Sequence, residues 1–259
     1  MNSIIGLSHL VFTVNSINNN SAKKSDFLKQ FYSEGEIFNF DHSFIRNSLI
    51  RNNENAISSL SLFRPLTHNL PAIELLYVNN TEVRPFEKYG IIDTCKDRKI
   101  KKQLETYFFP KSNFFVRYYY DSFIESWIAL DTNFFEKGLG CWICTSDFES
   151  QKYFFSSIKN GKILFENDNF LIITCRVINK NFSNFTFVIV KDLSSSHYYN
   201  DDLGLSTLGW FAKDIEPESF KNKGLALSDS FLINLNDNIF SAMFLYNNIS
   251  ISHELLKLN

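Results

Sequence analysis

The sequence predicts an α+β protein built from about four tandem modules, each ordered strand, helix and three further strands. Three observations predict this class. The stretch "GLSHLVFTV" at residues 6–14 returns near the end of the chain as "GLSTLGWFA" at residues 204–212. The stretch "IELL" at residues 73–76 is matched by "HELL" at residues 253–256. Between these matched ends, strand-like and helix-like segments follow one another in a recurring order.

The first module spans residues 1–80. Its opening strand alternates in pattern, and the run "SDFLKQFYSEG" that follows predicts an amphipathic helix. The apolar stripe of that helix consists of Phe27, Leu28, Phe31 and Tyr32. Three strands are then predicted in "GEIFNFDHSFI", "AISSLSLFRP" and "PAIELLYV".

The last module spans residues 203–259 and repeats this order in a shorter form. The strand "LSTLGWFAKDI" leads into a short helix in "EPESFKNKG", with Pro217 in its first turn and Gly224 at its end. Strands are predicted in "GLALSDSFLIN", "IFSAMFLYN" and "ISISHELLKL". Glu74 and Glu254 hold the same place in the final strands of the two modules.

Two further modules fit between them, at residues 84–137, which is the more divergent, and at residues 138–194. The second module has a predicted helix in "KDRKIKKQLETYF". The third has one in "SDFESQKYFFSSI", capped by Ser146 or Asp147. Each remaining segment is strand-like, and a glycine precedes the first strand of both modules, at Gly90 and Gly140.

Composition excludes several classes of protein. The 259 residues carry a formal net charge of −2, so there is no basic excess to bind nucleic acid. No apolar run approaches the roughly 20 residues that cross a bilayer. The first residues lack a basic leader and a cleavage site, and the four cysteines are expected to be reduced thiols. We therefore expect a cytoplasmic protein without a membrane partner.

The order of these modules resembles the vicinal oxygen chelate superfamily, the fold of glyoxalase, bleomycin-resistance proteins and extradiol dioxygenases. The segments that carry the resemblance are "SHLVFTV", "IELLYV", "LSTLGWFAKDI" and "HELLKL". The resemblance implies that paired modules form half-open mixed β-barrels flanked by helices. It also implies that a His on the first strand of a module and a Glu on its last strand point into the barrel.

The matching positions in this chain are His9 and Glu74 in the first module, and Thr207 and Glu254 in the last. The resemblance implies a divalent metal, Zn, Ni, Mn or Fe, held by His9, Glu74 and Glu254, with Glu74 or Glu254 also moving the proton. Thr207 is a poor ligand for these ions and could hydrogen-bond to substrate instead. If the site is degenerate, no metal binds.

Which modules pair is left open by the sequence. Four-module extradiol dioxygenases, which the chain resembles in length, take two His and one Glu from modules three and four. The corresponding strands here offer Cys141 or Trp142, Thr207 and Glu254, so the ligand set of a non-haem Fe(II) site is absent. We therefore disfavour ring-cleaving dioxygenase activity.

The sequence thus predicts a metal-dependent lyase, isomerase or epimerase that acts on a small oxygenated metabolite. A metal-free small-molecule binder of the bleomycin-resistance type and a non-catalytic scaffold remain alternatives. Trp142 and Trp210 either line the substrate pocket or pack in the core. His253 adjoins Glu254 and should face the opposite side of its strand. A homodimer is left open.

Overall fold

The computed structural model of the chain describes thirteen stretches of sequence, and the structural statements below concern these residues. They are residues 4–15, 25–33, 37–39, 59–66, 70–78, 89–94, 102–134, 138–178, 183–194, 204–228, 230–235, 238–247 and 251–257. The described elements are mainly strands, with three short helices among them. No described helix has the length and apolar character needed to span a membrane.

The first half of the chain contains one described helix and nine strands. They are β1 (Ile4–Asn15), α1 (Asp26–Phe31), β2 (Tyr32–Ser33), β3 (Ile37–Asn39), β4 (Ser59–Pro65), β5 (Ala72–Val78), β6 (Tyr89–Asp93), β7 (Glu105–Phe108), β8 (Phe115–Asp121) and β9 (Ser126–Thr132).

The second half contains the other two described helices. Its elements are β10 (Leu139–Thr145), α2 (Phe148–Ser156), β11 (Lys162–Glu166), β12 (Phe170–Arg176), β13 (Asn184–Lys191), β14 (Gly204–Ala212), α3 (Pro217–Lys221), β15 (Ala226–Leu227), β16 (Phe231–Leu235), β17 (Asn238–Tyr246) and β18 (Ser252–Lys257).

The first sheet joins the first and last modules. Its main path runs β15-β17-β18-β14-β1-β5-β4-β2, and β3 and β16 attach at its sides. The antiparallel pair of β1 and β14 lies at the centre, and β5 and β18 run parallel to β1 and β14 on either flank. The structure therefore settles the pairing that the sequence leaves open, because module one shares a sheet with module four.

The second sheet joins the two middle modules in the order β11-β12-β13-β10-β6-β9-β8-β7. Its centre has the same plan, because β6 and β10 form an antiparallel pair. On the flanks, β9 runs parallel to β6 and β13 runs parallel to β10. The predicted α+β class of tandem βαβββ modules in half-open barrels is confirmed, with mostly strand and little helix.

The main core lies between the two sheets and the helices. It is built from buried side chains of the central strands, such as Leu10, Phe12 and Leu208, together with Phe154 and Phe155 of α2. Ser25 links the units further, since its Oγ caps α1 by accepting from the Leu28 amide and donates to Asp121 of the second sheet at 2.9 Å. These contacts hold the first sheet against the second.

One predicted helix is wrong in its described part. In "KDRKIKKQLETYF", Glu105–Phe108 is strand β7, residues 102–104 have no regular structure, and residues 96–101 lie outside the described residues. Strand β7 pairs with β8, and Phe108 contacts Phe115 across the hairpin at 5.8 Å between ring centroids. Pairing with a neighbouring strand therefore outweighs the local helical pattern.

Two predicted details of the strands also differ. The predicted strand in "GLALSDSFLIN" is divided into β15 and β16, which both pair with β17. Strand β11 was not predicted, because its five residues are all exposed and show no alternation. It forms an edge of the second sheet by pairing with β12.

Candidate metal centre

Three side chains that are far apart in sequence meet on one face of the first sheet. His9 on β1, Glu74 on β5 and Glu254 on β18 each offer one ligand atom, and these atoms all lie within 4.8 Å of one another. The His9 Nε2 atom lies 3.0 Å from Glu254 Oε2 and 3.8 Å from Glu74 Oε1. The structure therefore brings together the three residues that the sequence selects as metal ligands.

Strand register explains why they meet. His9 lies opposite Gly209 on the neighbouring strand β14, and Glu254 lies opposite Gly209 on the other side. Glu74 lies opposite Val11, two residues further along β1. Because side chains two residues apart on a strand share a face, all three ligand side chains project from the same face of the sheet.

The register also gives the two modules a twofold relation. His9 pairs with Gly209, and Val11 pairs with Thr207. A twofold rotation that superimposes β1 on β14 therefore places His9 on Thr207 and Val11 on Gly209. Glu74 stands beside Val11 as Glu254 stands beside Gly209. Thr207 is thus the counterpart of His9, and Glu74 is the counterpart of Glu254.

Charge and burial act together on the imidazole. Burial of His9, which is only 5% exposed, would by itself lower its pKa, but Glu74 and Glu254 outweigh that effect and raise the pKa to about 9. The pKa of Glu74 is raised, mainly by burial and also by Glu254, while His9 opposes the change. Near neutral pH without an ion, His9 therefore carries a proton that it donates to Glu254.

The other imidazole nitrogen has its own partner. His9 Nδ1 lies 3.2 Å from the Ser8 hydroxyl, and this contact fixes the rotation of the ring. With Nδ1 protonated and donating to Ser8, Nε2 would be free to bind a cation once its proton leaves. A hydrogen bond of this kind orients histidine ligands in metal sites.

A pair of hydroxyl groups occupies the fourth corner of the arrangement. Thr207 Oγ1 lies 2.7 Å from Ser252 Oγ, and both residues are buried. Ser252 also donates to the carbonyl oxygen of Ser206 at 3.3 Å. The corner thus offers neutral hydrogen-bonding groups where the other half of the site has an imidazole.

Apolar side chains cover the same face beyond the three ligands. Val11, Leu76, Val78 and Phe244 form a separate buried cluster, against which Leu60 and Tyr246 pack. Phe244 lies opposite Glu254, and Val11 lies opposite Glu74. The charged cluster therefore borders a buried apolar cluster contributed by both modules.

Trp210 does not line this site. It follows Gly209 on β14, so its side chain enters the main core on the other face of the sheet. There its indole Nε1 donates to His253 Nδ1 at 3.2 Å, and His253 Nε2 contacts Gln151 Oε1 at 2.9 Å. Of the two roles that the sequence leaves open for Trp210, this placement corresponds to core packing.

His253 is buried on the same far face, as its alternation with Glu254 predicts. Burial lowers its pKa to about 3, so the ring is neutral. Its Nδ1 accepts from Trp210, which places the proton on Nε2, and its ring stacks on Phe154 at 3.6 Å between centroids. His253 is therefore a packing residue that holds β18 against the main core.

Among the described residues of the second sheet, the equivalent face has no such site. Gly90 pairs with Trp142, and Gly140 pairs with Ile92, in the same twofold relation. Gly90 and Gly140 therefore correspond to His9 and Thr207, which corrects the assignment of Cys141 or Trp142 to this position. The strands beside them contribute Ala129 and Val188 where the first sheet has its two carboxylates.

Trp142 fills the space that a ligand would need in the second sheet. A Cβ atom at Gly90 would overlap the Trp142 ring, and the indole packs with Phe109 and other buried residues. Trp142 thus belongs to the core of the second barrel, whereas the His9 cluster lies on the first sheet. The prediction that it contacts substrate at that cluster has no support in this geometry.

Sequence reasoning missed Gly209, which is central to the first site. A glycine inside a strand indicates the close approach of another group. The sequence "LGW" at residues 208–210 places such a glycine inside a predicted strand. The partner of the approach could not be named without the pairing of β14 with β1. The carboxylates and His9 were found because the repeated segments mark them directly.

Comparisons with known proteins bear on the fold. The sequence matches no protein-family model and no curated protein. The structure is similar to glyoxalase I from Zea mays, with 11% identity and a TM-score of 0.56 over 97% of this chain and 92% of that one. Its V278E variant matches with 12% identity and a TM-score of 0.53 over 97% and 92%.

An assigned dioxygenase from Bacillus subtilis matches with 10% identity and a TM-score of 0.56 over 99% of this chain and 86% of that one. Identities this low establish likeness of fold, whereas activity depends on the site that each chain carries. The common architecture nevertheless runs through nearly the full length of both chains.

Proposed function

From the vicinal oxygen chelate fold of this chain and its His9 cluster, we propose a divalent-metal-dependent lyase, isomerase or epimerase that acts on a small oxygenated metabolite. The observation that carries the proposal is the convergence of His9, Glu74 and Glu254 within 4.8 Å. A buried imidazole, a buried carboxylate and a partly buried one are a costly set to bring together unless they are paired or bind an ion.

The residues present fit a divalent cation. One imidazole nitrogen and two carboxylate oxygens suit Zn, Ni, Mn or Fe(II), and three protein ligands leave positions for substrate. His9 Nε2, one oxygen of Glu74 and one oxygen of Glu254 would hold the ion. When bound, such an ion would act as a Lewis acid that polarises neighbouring substrate oxygens and stabilises developing negative charge.

Glu74 is the better candidate for moving a proton. Its side chain is 19% exposed, against 8% for Glu254, and Glu254 is already engaged with His9 at 3.0 Å. Burial raises the pKa of Glu74, which brings a carboxylate towards the range where it accepts and returns protons efficiently. Glu74 would take a proton from the carbon next to the substrate's oxygen-bearing carbon. It would then return the proton to a different position, or to the opposite face, of the substrate.

The remaining groups would orient the substrate. Ser252 donates its proton to the carbonyl oxygen of Ser206, so Thr207 donates to Ser252. The Thr207 oxygen would then accept a hydrogen bond from a substrate hydroxyl at the corner that lacks an imidazole. Val11, Leu76 and Phe244 would hold the carbon skeleton and exclude water from the carboxylates. Exclusion of water strengthens each electrostatic contact that the site makes.

The experiment is a proton-exchange assay with a defined probe. The chain, purified without chelators and analysed for metal, is incubated in D₂O with hydroxyacetone, a neutral molecule with two neighbouring oxygens. We expect one divalent ion per chain and exchange of the carbon-bound protons, followed by NMR. Glu74→Gln should lose the exchange, whereas Trp142→Phe in the other sheet should keep it. Exchange that survives in Glu74→Gln would contradict the assigned role.

A metal-free small-molecule binder is the second candidate. The observation that favours it is the direct contact of His9 with Glu254, since protonated His9 then offsets the charge of Glu254 without an ion. This function predicts no bound ion and ligand-induced thermal stabilisation that persists in His9→Ala. A non-catalytic scaffold predicts neither an ion nor a ligand shift.

A further inference from the structure

Gly209 lies directly under the His9 ring. It is in register with His9 on β1 and with Glu254 on β18, so it stands between the two groups of the shortest contact in the cluster. A Cβ atom at position 209 would overlap the ring at Cε1, Nδ1 and Nε2. The imidazole therefore crosses β14 over bare backbone to reach the strand beyond it.

The ring has little room to move aside. His9 is buried, Ser8 contacts Nδ1 at 3.2 Å, and Glu254 contacts Nε2 at 3.0 Å. The overlapped atoms belong to the ring itself, which shifts only with a change of rotamer or of backbone. Any shift that accommodates a methyl group at 209 must therefore break the contact between His9 and Glu254.

The twofold-related position differs in this one respect. The counterpart of Gly209 is Val11, whose branched side chain packs with Leu76, Val78 and Phe244. A ring at position 207 could not cross β1 as His9 crosses β14, because Val11 fills the corresponding space. Room for an imidazole is thus built into one half of the arrangement only.

We propose that Gly209 is a positioning residue that allows His9 to reach Glu254, and that the Gly209 and Val11 pair restricts the site to a single imidazole. Gly209 touches no substrate and acts through His9. The proposal concerns the geometry of the cluster, so it holds whether or not an ion binds there.

A double-mutant cycle tests the proposal. Gly209→Ala should lower the thermal midpoint of the full chain by about 5 °C, the scale of an overpacked core site. In a His9→Ala background, where the ring is gone, the same change should lower it by less than about 1 °C. A loss of equal size in both backgrounds overturns the proposal.

A matched control uses another glycine with a close neighbour. A Cβ atom at Gly140 would overlap the carbonyl oxygen of Thr186 in the second sheet. Gly140→Ala should therefore lower the midpoint equally with and without the His9 ring. This control separates relief of the His9 contact from a general effect of the His9 substitution.

A spectroscopic measurement follows the ring directly. With ¹⁵N-labelled histidine, the Nε2 signal of His9 should move in Gly209→Ala, while the signals of His253 on the far face stay in place. Gly140→Ala should leave both unchanged. An unaltered His9 signal in folded Gly209→Ala contradicts the proposal. Because these results do not depend on metal, they stand apart from failure of the proposed enzyme activity.

Discussion

A buried imidazole between two carboxylates is the chemical centre of this protein at the scale of single residues. His9 contacts Glu254 at 3.0 Å and Glu74 at 3.8 Å, and its raised pKa follows from these two charges. If the site binds metal as proposed, a proton and the ion would compete for the same nitrogen. The raised pKa of His9 therefore predicts two measurable dependences on pH, one without metal and one with it.

The first dependence concerns the stability of the protein without metal. The pKa of His9 is about 9 in the folded state against 6.5 unperturbed. A raised pKa stabilises the fold fully below pH 6.5, and that stabilisation is lost as pH rises through 9. We expect the free energy of unfolding to fall by on the order of 1–3 kcal/mol between these values. Denaturant titrations at several pH values measure it.

His9→Gln is the control for that prediction. It removes the titrating group while it keeps a polar side chain of similar size next to Glu254. The fall between pH 6.5 and 9 should disappear in this variant. A slope that persists unchanged would show that another group titrates in this range.

The second dependence concerns metal affinity. Because the ion must displace a proton from His9, affinity should rise by about tenfold per pH unit up to about pH 9. Calorimetric titrations of the chelator-treated chain at pH 6.5, 7.5 and 8.5 would measure the slope. Affinity that is independent of pH would contradict binding through His9.

At the scale of elements, each sheet is organised around one antiparallel pair of strands. The pair β1 and β14 carries His9 and Gly209, and the pair β6 and β10 carries Gly90 and Trp142. In each case a large ring lies over a glycine on the opposite strand. In the first sheet the ring is the proposed metal ligand, whereas in the second it fills the barrel.

This difference predicts that the second barrel supports the fold only. Trp142 is fully buried, so Trp142→Ala should destabilise the chain by roughly 3–5 kcal/mol. Metal affinity at the first barrel should change by less than about threefold, which is within the usual limits for distant, independent sites. Chemical denaturation and calorimetry on the same preparation give both values. A large loss of affinity in folded Trp142→Ala would show that the barrels are coupled.

The twofold relation of β1 and β14 also predicts how a fourth ligand could be added. Thr207→His alone should leave metal affinity nearly unchanged, because Val11 blocks the path of the new ring. Thr207→His with Val11→Gly should bind at least about tenfold more tightly than Val11→Gly alone, the scale of one added ligand contact. Equal affinity of these two variants would contradict the role given to Val11.

Much of the candidate site was predictable from sequence at these two scales. His9, Glu74 and Glu254 stand at matched ends of two repeated segments, so the repeat itself points to them. The roles of Trp142 and Trp210 were not predictable, because each depends on which face its strand turns inward. Gly209 became interpretable only when pairing placed His9 above it.

At the scale of the whole molecule, four modules are arranged as two related sheets. The first and last modules share one sheet and enclose the middle two in sequence. The side chains of residues 9, 74 and 254 therefore meet although most of the chain separates them. Local pattern predicted the strands of each module, but the pairing of module one with module four required contacts between distant segments.

The central claim is that His9, Glu74 and Glu254 form one metal site, and calorimetric metal binding tests it most directly. The chelator-treated chain and its His9→Ala, Glu74→Gln and Glu254→Gln variants would be titrated with Zn²⁺, Ni²⁺ and Mn²⁺ at pH 8. The account predicts one ion per chain for at least one of these metals, with affinity reduced by at least about 100-fold in every variant. Absence of stoichiometric binding by all three metals, or full affinity in Glu254→Gln, would contradict it.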